Sequence, residues 1–191
     1  MGTRCLTRFI DERSGEDICV LYRQYDGYVE GHGRELVQFL AERRVVNGYT
    51  SADRERGWFN GMSCLAASVI SHFKEKIGDF YLYPPNTEGL CEEYTYTIYI
   101  PVSEMENGDT FSWVDDEGER GAKIYLRIQD YGGDVLHDAC VDQLSVLLDA
   151  PSVQYDADIE DVVRQSMAFR MAVEEWVNRM TNENENGDEE E

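Results

Sequence analysis

EYTYTIYI, residues 93–100, alternates strictly: Tyr94, Tyr96, Ile98 and Ile100 fall on one side, Glu93, Thr95, Thr97 and Tyr99 on the other. Successive side chains of a β-strand point to opposite faces, so this two-residue period predicts a strand with one buried face. A lone strand has nothing to bury that face against, so its partners must lie in the flanking sequence. Upstream, DFYLY (79–83) has strand composition, and Pro84-Pro85 breaks the chain between the two. Downstream, DTFSWV (109–114) and AKIYLRI (122–128) read as strands joined by DDEGERG (115–121), a hairpin connection. At the N-terminus TRCLTRFI (3–10) and DICVLYRQ (17–24) flank ERSGE (12–16), whose glycine suits a tight turn.

Helical spacing separates these runs. Met62, Leu65, Ala66, Val69, Ile70, Phe73 and Ile77 recur every three or four residues, predicting a helix over 62–77 stopped by Gly78. Leu36, Val37, Phe39 and Leu40 predict a shorter one over 34–44. Leu136, Cys140, Leu144 and Leu147 predict a helix over 134–148. Val162, Phe169, Val173, Trp176 and Met180 predict another over 157–180, set apart by Pro151. The sum is a single α+β domain over residues 1–180, an antiparallel sheet with packed helices. TNENENGDEEE (181–191) holds six carboxylates and no apolar residue, so a disordered acidic tail is expected.

The chain has 191 residues, 42% of them hydrophobic, enough for one domain with a real core. The N-terminus has no uninterrupted apolar run of a leader, and no run approaches the ~20 residues of a membrane span. A cytoplasmic protein is expected. Five cysteines, odd in number and without a CxxC pair, argue against a disulfide framework or zinc knuckle and for reduced, mostly buried thiols.

The net charge of −22 is unevenly placed. Residues 1–80 hold 12 acidic and 11 basic residues, a net of −1, whereas residues 81–191 hold 27 and 6, a net of −21. A surface of that sign repels nucleic acid and anionic membrane and attracts basic surfaces. Solubility, adaptation to high salt and a dedicated anionic face each account for acidity. The uneven distribution speaks against the second, since a halophile spreads its acids over the whole surface. The carboxylates that would form an anionic face are Asp115, Asp116, Glu117 and Glu119, then Asp156, Asp158, Glu160 and Asp161. Neither cluster has the spacing of a calcium loop, and the second also suits a helix N-terminus.

DGYVEGHG (26–33) lies between a strand and a helix start. One reading is a ligand site: exposed backbone N–H groups for an anion, donors from His32 and Arg34, an acceptor at Asp26, and Tyr28 beside them. The other is a turn whose glycines 27, 31 and 33 supply positive φ and whose His32 is exposed. The stretch is neither GxGxxG nor GxxxxGK[ST].

TRCLT, YRQYDGYVEGHGRELVQFL, DFYLYPP and EYTYTIYI together resemble an uncharacterised family of bacteriophage and bacterial proteins carrying an N-terminal TRxL and a strand ending in DGYxxG. The matching positions are Thr3, Arg4, Leu6, Asp26, Gly27, Tyr28 and Gly31, and the resemblance runs over about residues 3–100. It implies a phage or mobile-element origin and carries over no catalytic residues.

Two further motifs have bland explanations. Cys64 begins a helix, where the macrodipole activates a thiol, and His32 or His137 with Asp138 would complete a thiol enzyme; its place beside the apolar stripe of Leu65, Val69 and Phe73 makes a packed, structural core cysteine the expectation. The His137-Asp138 doublet is found in metal phosphohydrolases, but three histidines in all are too few for such a site. The expected function is therefore a phage-encoded acidic interaction protein, not an enzyme, without cofactor or metal. It would inhibit a host protein with a basic, nucleic-acid-binding surface, as a nucleic-acid mimic of anti-defence type. The alternative is a small-ligand or nucleotide-sequestering protein using Asp26, Tyr28, His32 and Arg34. Removing residues 181–191 is expected to leave the thermal midpoint unchanged, because a segment without apolar residues cannot offset its ordering entropy; a large drop in a melting scan would show that it packs on the body.

Overall fold

The computed structural model describes residues 2–101 and 120–149. The expected strand 109–114, helix 157–180 and tail 181–191, and all eight carboxylates assigned to an anionic face, lie outside the described residues. So does most of the expected 115–121 connection.

Strands β1 (Cys5–Ile10) and β2 (Asp17–Arg23) form the expected hairpin. Its turn is closed by Asp11, whose Oδ1 accepts from the N–H of Arg13 and Ser14, with Gly15 at φ 71°. A π-helical turn over Val29–Gly33 then leads directly into α1 (Arg34–Leu40). Short strands β3 (Val45–Val46) and β4 (Phe59–Asn60) flank α2 (Ser51–Glu55), and α3 (Gly61–Phe73) follows. β5 (Phe80–Tyr83), β6 (Tyr94–Tyr99), β7 (Tyr125–Asp130), β8 (Val135–Cys140) and α4 (Val141–Asp149) complete the order.

Six strands make one sheet in the order β5-β2-β1-β6-β7-β8. The α+β class holds, with one refinement: the sheet is mixed. Four junctions are antiparallel, but β1 and β6 run parallel at its centre, with Cys5 beside Tyr94 and Phe9 beside Ile98. Alternation predicts a strand and its buried face; it does not encode the direction of the neighbour. On the helix side the core joins Cys5, Phe9, Leu21, Tyr96, Ile98, Leu126 and Ile128 to Leu36 and Leu40 of α1, Leu65 and Val69 of α3, and Leu144 of α4. None of the described helices is long and apolar enough to cross a membrane.

Several expectations need correction. The stretch 134–148 is not one helix. Val135–Cys140 is a strand paired to β7, and only Val141–Asp149 is helical. Asp130 sets this hairpin: its Oδ1 accepts from the N–H of Gly132 and Asp134, and Gly133 takes φ 85°. Leu136, placed on a helical stripe by sequence, is 44% exposed on the strand, and the side chain of Leu147 lies outside the described residues. Helix α3 ends at Phe73, four residues early, because Lys74 leaves the helix and its Nζ donates to the carbonyls of Gly78 and Phe80. Ile77 is consequently 99% exposed. The 122–128 run starts its strand only at Tyr125; Ala122 instead exchanges both backbone hydrogen bonds with Val45.

Gly27, Gly31 and Gly33 do not have positive φ; in that loop Asp26 does, at 55°. The glycines are needed for close approach. A Cβ on Gly27 would stand 2.8 Å from the Arg4 carbonyl carbon and 2.9 Å from the Cys5 nitrogen, and one on Gly31 2.6 Å from the Asp26 oxygen. These are backbone atoms within a paired strand and a tight turn, and they cannot yield cheaply. Gly27→Ala should therefore cost about 1–3 kcal/mol in a denaturant-unfolding experiment, in the range of overpacked cores. Gly15→Ala, whose Cβ would meet open space, should cost only the left-handed strain of about 1 kcal/mol. Equal costs at the two positions would contradict this account.

Candidate functional site

The DGYVEGHG stretch folds against β1. The N–H of Gly27 donates to Thr3 O, and the Tyr96 hydroxyl donates to Gly27 O at 2.8 Å. The N–H of His32 donates to Asp26 O, and the cap N–H at Arg34 reaches back to Val29 O, the long spacing of a π turn. This winding carries His32 under the sheet. Its imidazole is fully buried, not exposed as the turn reading expected, within rings of Tyr96 (5.0 Å), Phe73 (5.5 Å) and Phe80 (6.0 Å).

Both ring nitrogens are engaged. Nδ1 is 3.1 Å from Arg23 Nη1 and Nε2 is 2.7 Å from Thr7 Oγ1. A guanidinium only donates, so Nδ1 must accept; Nε2 then carries the proton and donates to Thr7. Burial first, and the Arg23 charge second, lower the His32 pKa to about 3. His32 is thus a neutral structural group.

Arg23 continues outward. The same Nη1 pairs with Glu35 of α1, and its guanidinium lies 5.2 Å from the Phe80 ring centroid. Beyond it opens a cleft of about 580 Å³ between α1 and the α3–β5 connection. Phe73 and Phe80, 5.5 Å apart, line its base. On its wall the Phe39 ring is stacked with His72 (4.2 Å, 18°), and the Arg43 guanidinium lies 4.3 Å from the same centroid. Two groups this close to one ring cannot share a face, so Phe39 is sandwiched between them. Lys76, Glu75 and Asp79 stand on the rim, with Lys76 Nζ 3.5 Å from Asp79.

The four residues of the expected ligand site do not line this cleft. Asp26 makes the left-handed turn, Tyr28 is 40% exposed, His32 is inside the core, and Arg34 is the first residue of α1. Cys64 is exposed, not packed, and no hydrogen bond joins it to His32 or His137 among the described residues. Its neighbour Leu65 takes the buried position of the helical stripe. Cys91 is also exposed, so the thiols are less buried than composition suggested. Burial drives the Cys5 thiol far above its usual range.

His137 and Asp138 are adjacent on β8 and so face opposite ways. Asp138 accepts from the Tyr99 hydroxyl at 2.6 Å and pairs with Arg127 at 2.8 Å; burial, then the Asp138 bond, push Tyr99 up to about 12. Among the described residues no group of three or more His, Cys, Asp or Glu is placed to hold a metal. Thr7, Arg23, Phe39, Arg43 and His72, which build the buried network and the cleft, were not candidates from sequence. Comparison with protein-family models, curated proteins and solved structures finds no match.

His32→Ala should cost about 2–4 kcal/mol, since it opens a cavity and leaves Thr7 without its partner. The pH dependence has a definite sign. The unfolded imidazole protonates near 6.5 and the folded one near 3, so between these values the unfolded state binds the extra proton. Stability present above 6.5 is lost as pH falls, by about 2 kcal/mol from pH 7 to pH 5 for these two pKa values. Chemical denaturation of wild type and His32→Gln at both pH values isolates this contribution, and an equal loss in the two proteins would refute it.

Proposed function

We propose that the protein works as an acidic interaction protein, docking on a basic surface of a host protein that binds nucleic acid. One observation carries the reading: the partition of charge. The described residues hold 20 acidic and 14 basic residues, a net of −6. Residues 102–119 add 7 acidic and none basic, and residues 150–191 add 12 acidic and 3 basic, together a net of −16. The described residues thus carry −6 of the net −22, while two stretches of sequence concentrate the rest.

The acidic run Asp115–Glu119 is followed at once by Arg120, which is tied down. Arg120 pairs with Asp53 and donates to the Gly48 carbonyl. Asp53 is fixed by the Thr50 capping box, and the Thr50 N–H leads the bonds that hold its carboxyl below the usual range. The residue that follows the carboxylate run in sequence is therefore fixed to the nearly buried Asp53. The resemblance of residues 3–100 to a phage and bacterial family makes host machinery the class of target.

Capture of host nucleic-acid-binding proteins by the full chain, followed by elution, tests the reading. Duplex DNA and raised salt should both release the captured protein, because each competes with or screens the carboxylates. Changing Asp115, Asp116, Glu117 and Glu119 to lysine should leave the thermal midpoint in place and weaken capture at least tenfold, roughly 1.4 kcal/mol. Capture that survives both the four substitutions and high salt would overturn the proposal.

A further inference from the structure

The cleft beside Arg23 has chemistry that neither the buried network nor the acidic segments use. Arg23 is only 12% exposed, yet both of its hydrogen bonds within the described residues leave from Nη1; Nε and Nη2 make none. A nearly buried guanidinium with a free edge is a fork for a planar oxyanion. Arg43, also in the lining, lies over the Phe39 and Phe59 rings and pairs with no carboxylate of a described residue. It is held in place by stacking, and among the described residues no hydrogen bond uses its guanidinium N–H groups.

Charge decides the kind of anion. Glu35 is neutralised by Arg23 and Asp79 by Lys76. Arg43 and Glu75 remain and balance each other. A cleft of this balance suits a singly charged group better than a doubly charged phosphate. The aromatic surfaces decide the rest of the molecule. Phe73 and Phe80 at the base, and the exposed His72 ring backed by Phe39, present flat faces within the same 580 Å³. That volume lies in the range of small-molecule sites.

We propose that this cleft binds a small planar carboxylate, with the carboxylate on the free edge of Arg23 and the ring against the aromatic wall, which Arg43 backs from the other side of Phe39. Titration of the full chain with benzoate, followed by amide chemical shifts, should give saturable changes at Phe39, His72, Phe73 and Phe80. Benzamide, which keeps the ring and loses the charge, should bind at least tenfold more weakly; so should inorganic phosphate, which keeps charge and loses the ring. Arg43→Ala should weaken benzoate about tenfold, because the lining loses a cation and the Phe39–His72 wall loses its backing, while Arg54→Ala, outside this cleft, should not. Benzoate without saturable shifts at these residues, or benzamide or phosphate binding as tightly, would overturn the assignment. The ligand comparisons use the wild-type chain, so they stand whether or not Arg43→Ala folds, and they are independent of the acidic segments.

Discussion

A neutral imidazole held between a threonine and an arginine organises this molecule. Thr7 belongs to β1, Arg23 to β2, and His32 to the π turn between the hairpin and α1, so two hydrogen bonds join three elements inside an apolar layer. Buried polar groups are tolerated only when satisfied, and a half-satisfied network is worse than none. The network therefore fixes the register at which the turn meets the sheet. The Arg23–Glu35 pair extends the line to α1, and the Tyr96 hydroxyl clasps the turn from β6. Moving any one of these elements by a residue would strand a polar group in the core.

Much of the fold was legible because alternation and helical spacing are local. The β1–β2 hairpin, β5, β6 and α3 follow from residues whose neighbours in sequence are also their context. What was not legible depends on distant residues. VLHDAC reads equally well as the first turns of a helix, since Leu136, Cys140 and Leu144 are four apart; the turn at Tyr131–Asp134, with two glycines and two flanking aspartates, was the available signal. The glycines of the DGYVEGHG stretch were recognisable as necessary, but φ and close approach give the same residue type, and only the packed backbone of Arg4 and Cys5 separates them.

The buried network also left a trace in the sequence. Thr7 sits between Cys5 and Phe9 on an otherwise apolar strand face, and Arg23 follows Cys19 and Leu21 on another. A polar residue that interrupts a buried face needs a partner, but nothing in Thr7 or Arg23 says that the partner is His32. The cleft was less readable. It needs α1, the α3–β5 connection and Arg23 together, and the early end of α3 at Lys74 has no counterpart in the apolar pattern, which runs on to Ile77.

The parallel pairing at the centre of the sheet orders events in time. Cys5 must wait for Tyr94, so the β1–β2 hairpin leaves the ribosome with an open inner edge while all of α1, α2 and α3 is still being made. Local hairpin contacts form quickly, whereas closing so long a connection adds an entropic barrier. During that interval β1 offers unpaired backbone and the side chains of Cys5 and Phe9 to any other strand nearby. A nascent chain of this design is most vulnerable to mispairing before its second half arrives, which places the hazard in synthesis and not in the finished fold.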